Sequence, residues 1–145
     1  TSRVVRPAGV VRAEAEVEGA AKTLADADRA YADRDLDRAK TIYLRVIEET
    51  PEKTLHAKSY YGLARISVLQ RDPETGDRLF RRALELDPDD ETKAWSFLYL
   101  ARLADSQGER AEAVRARQGR DRGDPQARRR DRAQAIVSVR AASRP

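Results

Sequence analysis

The stretch YYGLARISVLQRDPETGDRLFRRALELDP, Tyr60 to Pro88, decides the fold. It opens with Tyr60-x2-Leu63-Ala64, continues with Gly76-x3-Phe80-x2-Ala83-Leu84 and closes on Pro88. Apolar and small residues three and four apart belong to one face of a helix, so the stretch reads as two helices. Between them, Arg71-Asp72-Pro73-Glu74 offers an N-cap Asp followed by Pro at the first helical position. At its end, Asp87-Pro88-Asp89-Asp90 is a turn leading into an acidic first helical turn.

Outward from this stretch, the same residue types return every 37 residues. Ala27, Ala64 and Ala101 share one column, and Ala39, Gly76 and Ala113 share a second. Tyr43 with Phe80, Ile47 with Leu84, and Pro51 with Pro88 and Pro125 complete the register. Antiparallel helices approach closely only where side chains are small, so Ala64 is expected to face Gly76. Tyr60, Phe80 and Leu84 are expected to fill the space between successive pairs. The boundary signals place six helices near residues 20 to 33, 35 to 49, 53 to 70, 73 to 86, 90 to 107 and 109 to about 117.

These residues resemble the tetratricopeptide repeat (TPR), whose pattern runs from an aromatic to Leu and a small residue, then small-x3-aromatic, then Pro. The middle copy matches throughout. The first copy has Ala39, Tyr43, Val46, Ile47 and Pro51, but Thr23 and Asp26 where an aromatic and Leu are usual. The third has Phe97, Leu100, Ala101, Gly108 and Ala113 before the match ends. The period exceeds the usual repeat of about 34 residues, and the extra residues fall in Pro51 to Ala57 and Pro88 to Ala94. The resemblance implies an all-α fold, a TPR-like α-solenoid of about two and a half to three helix-turn-helix repeats. Residues 1–19 then read as a linker or the remnant of an upstream domain, 20–118 as the repeat domain and 119–145 as an Arg-rich, disordered tail.

Composition bounds the function. The chain is 40% hydrophobic and 37% charged, a balance that suits an elongated helical protein with much surface. No stretch approaches the roughly 18 to 20 apolar residues of a membrane span, so a soluble protein is expected, cytoplasmic or of the cell envelope. The first residue is Thr1 rather than Met, so a processed start or a cut from a longer polypeptide is expected, with any targeting segment outside view. The net charge of +4 is uneven: from Arg115 onward ten Arg face three Asp, a net +7, which leaves −3 for residues 1–114.

A catalytic reading needs a nucleophile beside a base, paired carboxylates in a cleft, or clustered metal ligands, and none stands out. His56 is the only histidine and there is no cysteine, so no metal or cofactor site is expected and the chain does not read as an enzyme. In TPR proteins the first helix of each pair lines a concave groove. Carried onto this sequence, the resemblance implies a partner-binding groove of Lys58, Tyr61, Arg65, Trp95, Leu98 and Arg102, flanked by Leu24, Asp28, Tyr31, Val68 and Asp105. Its cationic residues would attract an acidic protein or peptide. The chaperone-carboxylate grip of some family members is not expected, because Leu24, Asp28, Gly62, Trp95 and Tyr99 occupy the corresponding places.

The tail keeps three readings open: a bland disordered end, an anion or nucleic-acid binder through Arg128-Arg129-Arg130 and Arg132, or an out-of-frame ending to a once complete repeat. In the third repeat the register calls for an aromatic, a small and an apolar residue where Arg117, Arg120 and Asp121 stand. The expected function is a protein–protein interaction scaffold, with polyanion binding through the tail as the alternative.

Overall fold

The computed structural model describes residues 3–121, 123 and 125–142. They form six α-helices and no strand: α1 Ala8–Ala32, α2 Leu36–Glu49, α3 Lys53–Leu69, α4 Pro73–Glu85, α5 Asp90–Asp121 and α6 Pro125–Ala142. The chain divides into two compact units, Thr1–Leu103 and Ala104–Pro145. Among the described residues, no helix is long and apolar enough to cross a membrane.

In the first unit α1 packs on α2, α2 on α3 and α3 on α4, with a further contact between α1 and α3. The turns that join the pairs repeat atom for atom. Arg34 N donates to the Tyr31 carbonyl and Asp35 N to the Ala30 carbonyl, and 37 residues later Arg71 N donates to Val68 and Asp72 N to Ser67. Arg34 (φ 63°) and Arg71 (φ 60°) both sit in the left-handed region, which lets the chain reverse within two residues. Asp35 then caps α2 by accepting from Arg38 N, and Asp72 caps α4 by accepting from Thr75 N.

Two apolar clusters hold this unit together. The first joins Leu24 and Ala27 of α1, Ala39, Ile42, Tyr43 and Val46 of α2, and Leu55, Leu63 and Ile66 of α3. The second surrounds Phe80 with Ala64, Tyr61 and Val68 of α3 and Tyr99, Leu100 and Leu103 of α5. Ala64 and Gly76 meet as expected: a methyl added to Gly76 would lie 3.5 Å from the Ala64 carbonyl oxygen and 3.1 Å from Val68 Cγ2.

The first half of α5 repeats α3 in its burial. Thr92, Ser96 and Leu103 are buried and Tyr99 and Leu100 half-buried, each one register step from Leu55, Ser59, Ile66, Gly62 and Leu63, which are all buried on α3. The opposite faces differ. Ala57 and Ala64 are buried beneath neighbouring helices, whereas their images Ala94 and Ala101 are exposed. Phe97, the image of Tyr60, is 54% exposed.

Three expectations are corrected. Helix α1 begins at Ala8, so residues 8–19, expected as linker, are helical. Ala13 to Glu18 alternate Ala and Val with Glu, strong helix formers in the main, and only Val17 reaches the core. Helix α5 does not turn near Gly108 but runs on to Asp121. A turn there would bring Arg117 and Arg120 into columns that bury Tyr43 and Phe80, and Val46 and Ala83, and Asp121 into the column of the half-buried Ile47 and Leu84. Forcing unpaired charge inward costs several kcal/mol, against about 1 kcal/mol for one Gly inside a helix. The tail is also corrected, since α6 occupies Pro125–Ala142. Its Ala, Arg and Gln content favours helix without a core, and its described side chains lie on the surface.

In the second unit Gly123 (φ 71°) turns the chain between α5 and α6, its N–H donating to the Arg120 carbonyl. Arg120 Nε lies 3.6 Å from Asp131 Oδ2 across that turn.

Candidate partner-binding groove

The first helices α1 and α3 and the start of α5 enclose a cavity of about 460 Å³. Its walls are Asp28 from α1, Lys58, Tyr61 and Arg65 from α3, and Asp89, Glu91, Thr92, Trp95 and Tyr99 at the start of α5. The structure thus brings together Lys58, Tyr61, Arg65 and Trp95 of the expected groove. Leu98 and Arg102 are exposed on α5 and do not line the cavity. Of the flanking residues, Asp28 is a wall, Tyr31 stacks on Arg65, and Leu24 is a buried core residue instead. Val68 packs in the Phe80 cluster and Asp105 is exposed.

Behind the walls Asp28 and Arg65 lies Tyr43 of α2, fully buried. Its ring passes under Gly62, where a methyl group would overlap the phenol. Its hydroxyl donates to Asp28 Oδ1 and accepts from Arg65 Nη2 at 3.5 Å. Burial first, and then the bond to Asp28, push the Tyr43 phenol well above its ordinary value. Arg65 lies between two rings, its guanidinium carbon 4.0 Å from the centroid of Tyr31 and 4.7 Å from that of Tyr61. Its Nη2 is 3.9 Å from Asp28 Oδ1, while its Nε is buried with no hydrogen-bond partner among the described residues. Burial also raises the Tyr61 phenol.

One register step on, the same positions solve the space differently. Phe80 replaces Tyr43 and Tyr99 replaces Gly62, so the rings stack at 4.8 Å and 15° in place of a phenol passing beneath a glycine. Tyr61 meets Tyr99 nearly edge-on at 6.2 Å. Arg102, the image of Arg65, is exposed, and one register step on the partners of Arg65 are gone: Phe80 stands for Tyr43, Val68 for Tyr31, Leu98 for Tyr61 and Arg65 for Asp28.

Asp89 ties the mouth together. Its Oδ1 accepts from Thr92 N at 2.9 Å, capping α5, and its Oδ2 lies 3.3 Å from Lys58 Nζ. The hydrogen bonds from Thr92, aided by Lys58, hold the Asp89 carboxyl below its usual range. Of the three expected cations, the two that line the cavity are therefore already engaged, Lys58 by Asp89 and Arg65 by Asp28. Trp95, 45% exposed, is the large apolar side chain of this cavity left open to a partner.

Set against protein-family models, curated proteins and solved structures, the chain matches none. What the groove can do rests on its own residues. Sequence reasoning missed Asp89, Glu91, Thr92 and Tyr99 as wall residues. The available signal was the Asp87-Pro88-Asp89-Asp90 turn, whose Asp89 caps α5 and with the following Glu91 and Thr92 lines the cavity.

Proposed function

We propose that the chain is a TPR-like interaction module whose groove between α1, α3 and α5 holds a segment of a protein partner. The observation that carries this reading is an open aromatic side chain, Trp95, set in a cavity whose polar walls are tied to one another. Such a surface offers rigid apolar contact at little conformational cost, the feature of interaction hot spots. The repetition of turn bonds and burial at the 37-residue step supports the repeat architecture that such grooves require.

The test uses peptides selected on the whole chain from a random display library. Trp95 is the only tryptophan, so bound peptides should shift its emission during titration. Trp95→Ala combined with Lys58→Glu should weaken the selected peptides at least about tenfold, or 1.4 kcal/mol. Helicity should not change, because neither residue belongs to the two apolar clusters. Arg65 is a poor choice for this test, since it also contacts the hydroxyl of the buried Tyr43. Equal binding by the wild-type and doubly substituted chains, with no shift of Trp95 emission, would sink the groove assignment.

A further inference from the structure

Three carboxylates, Asp28, Asp89 and Glu91, and two cations, Lys58 and Arg65, line the cavity between α1, α3 and α5. Each cation faces a carboxylate of the same cavity, Lys58 facing Asp89 and Arg65 facing Asp28. The third carboxylate, Glu91, has no ion pair among the described residues. Glu91 and Trp95 are four residues apart on α5, which makes them neighbours on one face of the helix. Both are exposed and both line the cavity.

The fold already holds one arginine with this pair of groups. The Arg65 guanidinium lies between the rings of Tyr31 and Tyr61, with the Asp28 carboxylate at its end. A ring face attracts the charge of a guanidinium, and a carboxylate accepts its N–H bonds, so together they replace the water it gives up. Trp95 and Glu91 present the same two groups again, and an indole is the best of the rings for a cation. Among the described residues, no Arg or Lys lies over the indole. An acidic segment would meet the opposite conditions. To reach Lys58 it would have to displace Asp89, whose other oxygen caps α5 at Thr92 N, and it would bring negative charge toward Glu91.

We infer that the partner segment is basic and enters the cavity through an arginine, its guanidinium stacked on Trp95 and its N–H groups bonded to Glu91. The inference rests on the groove holding a protein segment, and it adds the chemistry of that segment. Arginine suits the pair better than lysine, because its planar fork bonds a carboxylate bidentately and stacks on a ring, whereas an ammonium is a compact, strongly hydrated charge. Trp95→Ala with Lys58→Glu should weaken such a segment, since it removes the stacking ring and unties Asp89 at the mouth.

The probes are the peptides selected on the whole chain from a random display library, which are expected to share an arginine. The chain as a whole carries +4, so attraction without a site would select acidic peptides instead. Replacing the shared arginine by glutamine should weaken binding at least about tenfold, and replacing it by lysine should weaken it less. Glu91→Gln should weaken the parent peptide by a similar factor and the glutamine peptide hardly at all, the mark of a direct pair in a double-mutant cycle. Glu91 is exposed and outside both apolar clusters, so helicity should hold. Peptides that shift Trp95 emission but share no arginine overturn the inference and leave the groove standing. So does a cycle in which Glu91→Gln weakens the parent and glutamine peptides equally. If no selected peptide shifts Trp95 emission, the groove assignment falls and the inference falls with it.

Discussion

Tyr43 is the residue on which core and groove meet. Its ring is fully buried in the first apolar cluster, while its hydroxyl holds Asp28 and Arg65 from two different helices. That arrangement requires Gly62, because the ring occupies the volume in which a β-carbon would sit. Gly62→Ala should therefore destabilise the chain by about 1 to 3 kcal/mol through overpacking, read as a lower midpoint in urea unfolding. The added methyl lies under α3, so Arg65 should also lose its place between Tyr31 and Tyr61. An unchanged midpoint would mean that Tyr43 takes another rotamer in solution. The importance of Tyr43 was legible in the sequence from its column with Phe80. The role of Gly62 was not, because a glycine inside a helical pattern carries no mark of what crosses it.

At the scale of the element, the turn column Arg34, Arg71 and Gly108 shows how local and tertiary preferences divide. Two arginines adopt the left-handed conformation, which disfavours L side chains by about 1 to 2 kcal/mol, while the glycine best suited to it lies inside a helix. Arg34→Gly and Arg71→Gly should each stabilise the chain by about 1 kcal/mol in denaturant titration. Gly108→Ala should also stabilise, by up to about 1 kcal/mol, because alanine favours the helical state that α5 keeps there. A loss of stability in Gly108→Ala would show that the chain turns at this position in solution. Helices α2, α3 and α4 end within one residue of the boundaries expected from caps and Pro. Those signals are chemical and local. The continuity of α5 depends instead on whether residues 109–121 have an apolar face worth turning for.

For the molecule as a whole, stability should reside in the first unit, where both apolar clusters lie. Removal of residues 119–145 should leave the melting temperature within about 2 °C. A larger fall would mean that the second unit supports the first. The sequence by itself determined the helical class, the 37-residue register, the caps and the small and aromatic columns, because each follows from local chemistry and spacing. Tertiary structure decided what no local pattern states. Lys58 and Arg65 are engaged by Asp89 and Asp28, Leu98 and Arg102 stay outside the cavity, and the Phe97 face is uncovered. The physical reason is that burial and charge pairing depend on which helix comes next in space, and that neighbour is set by packing between elements.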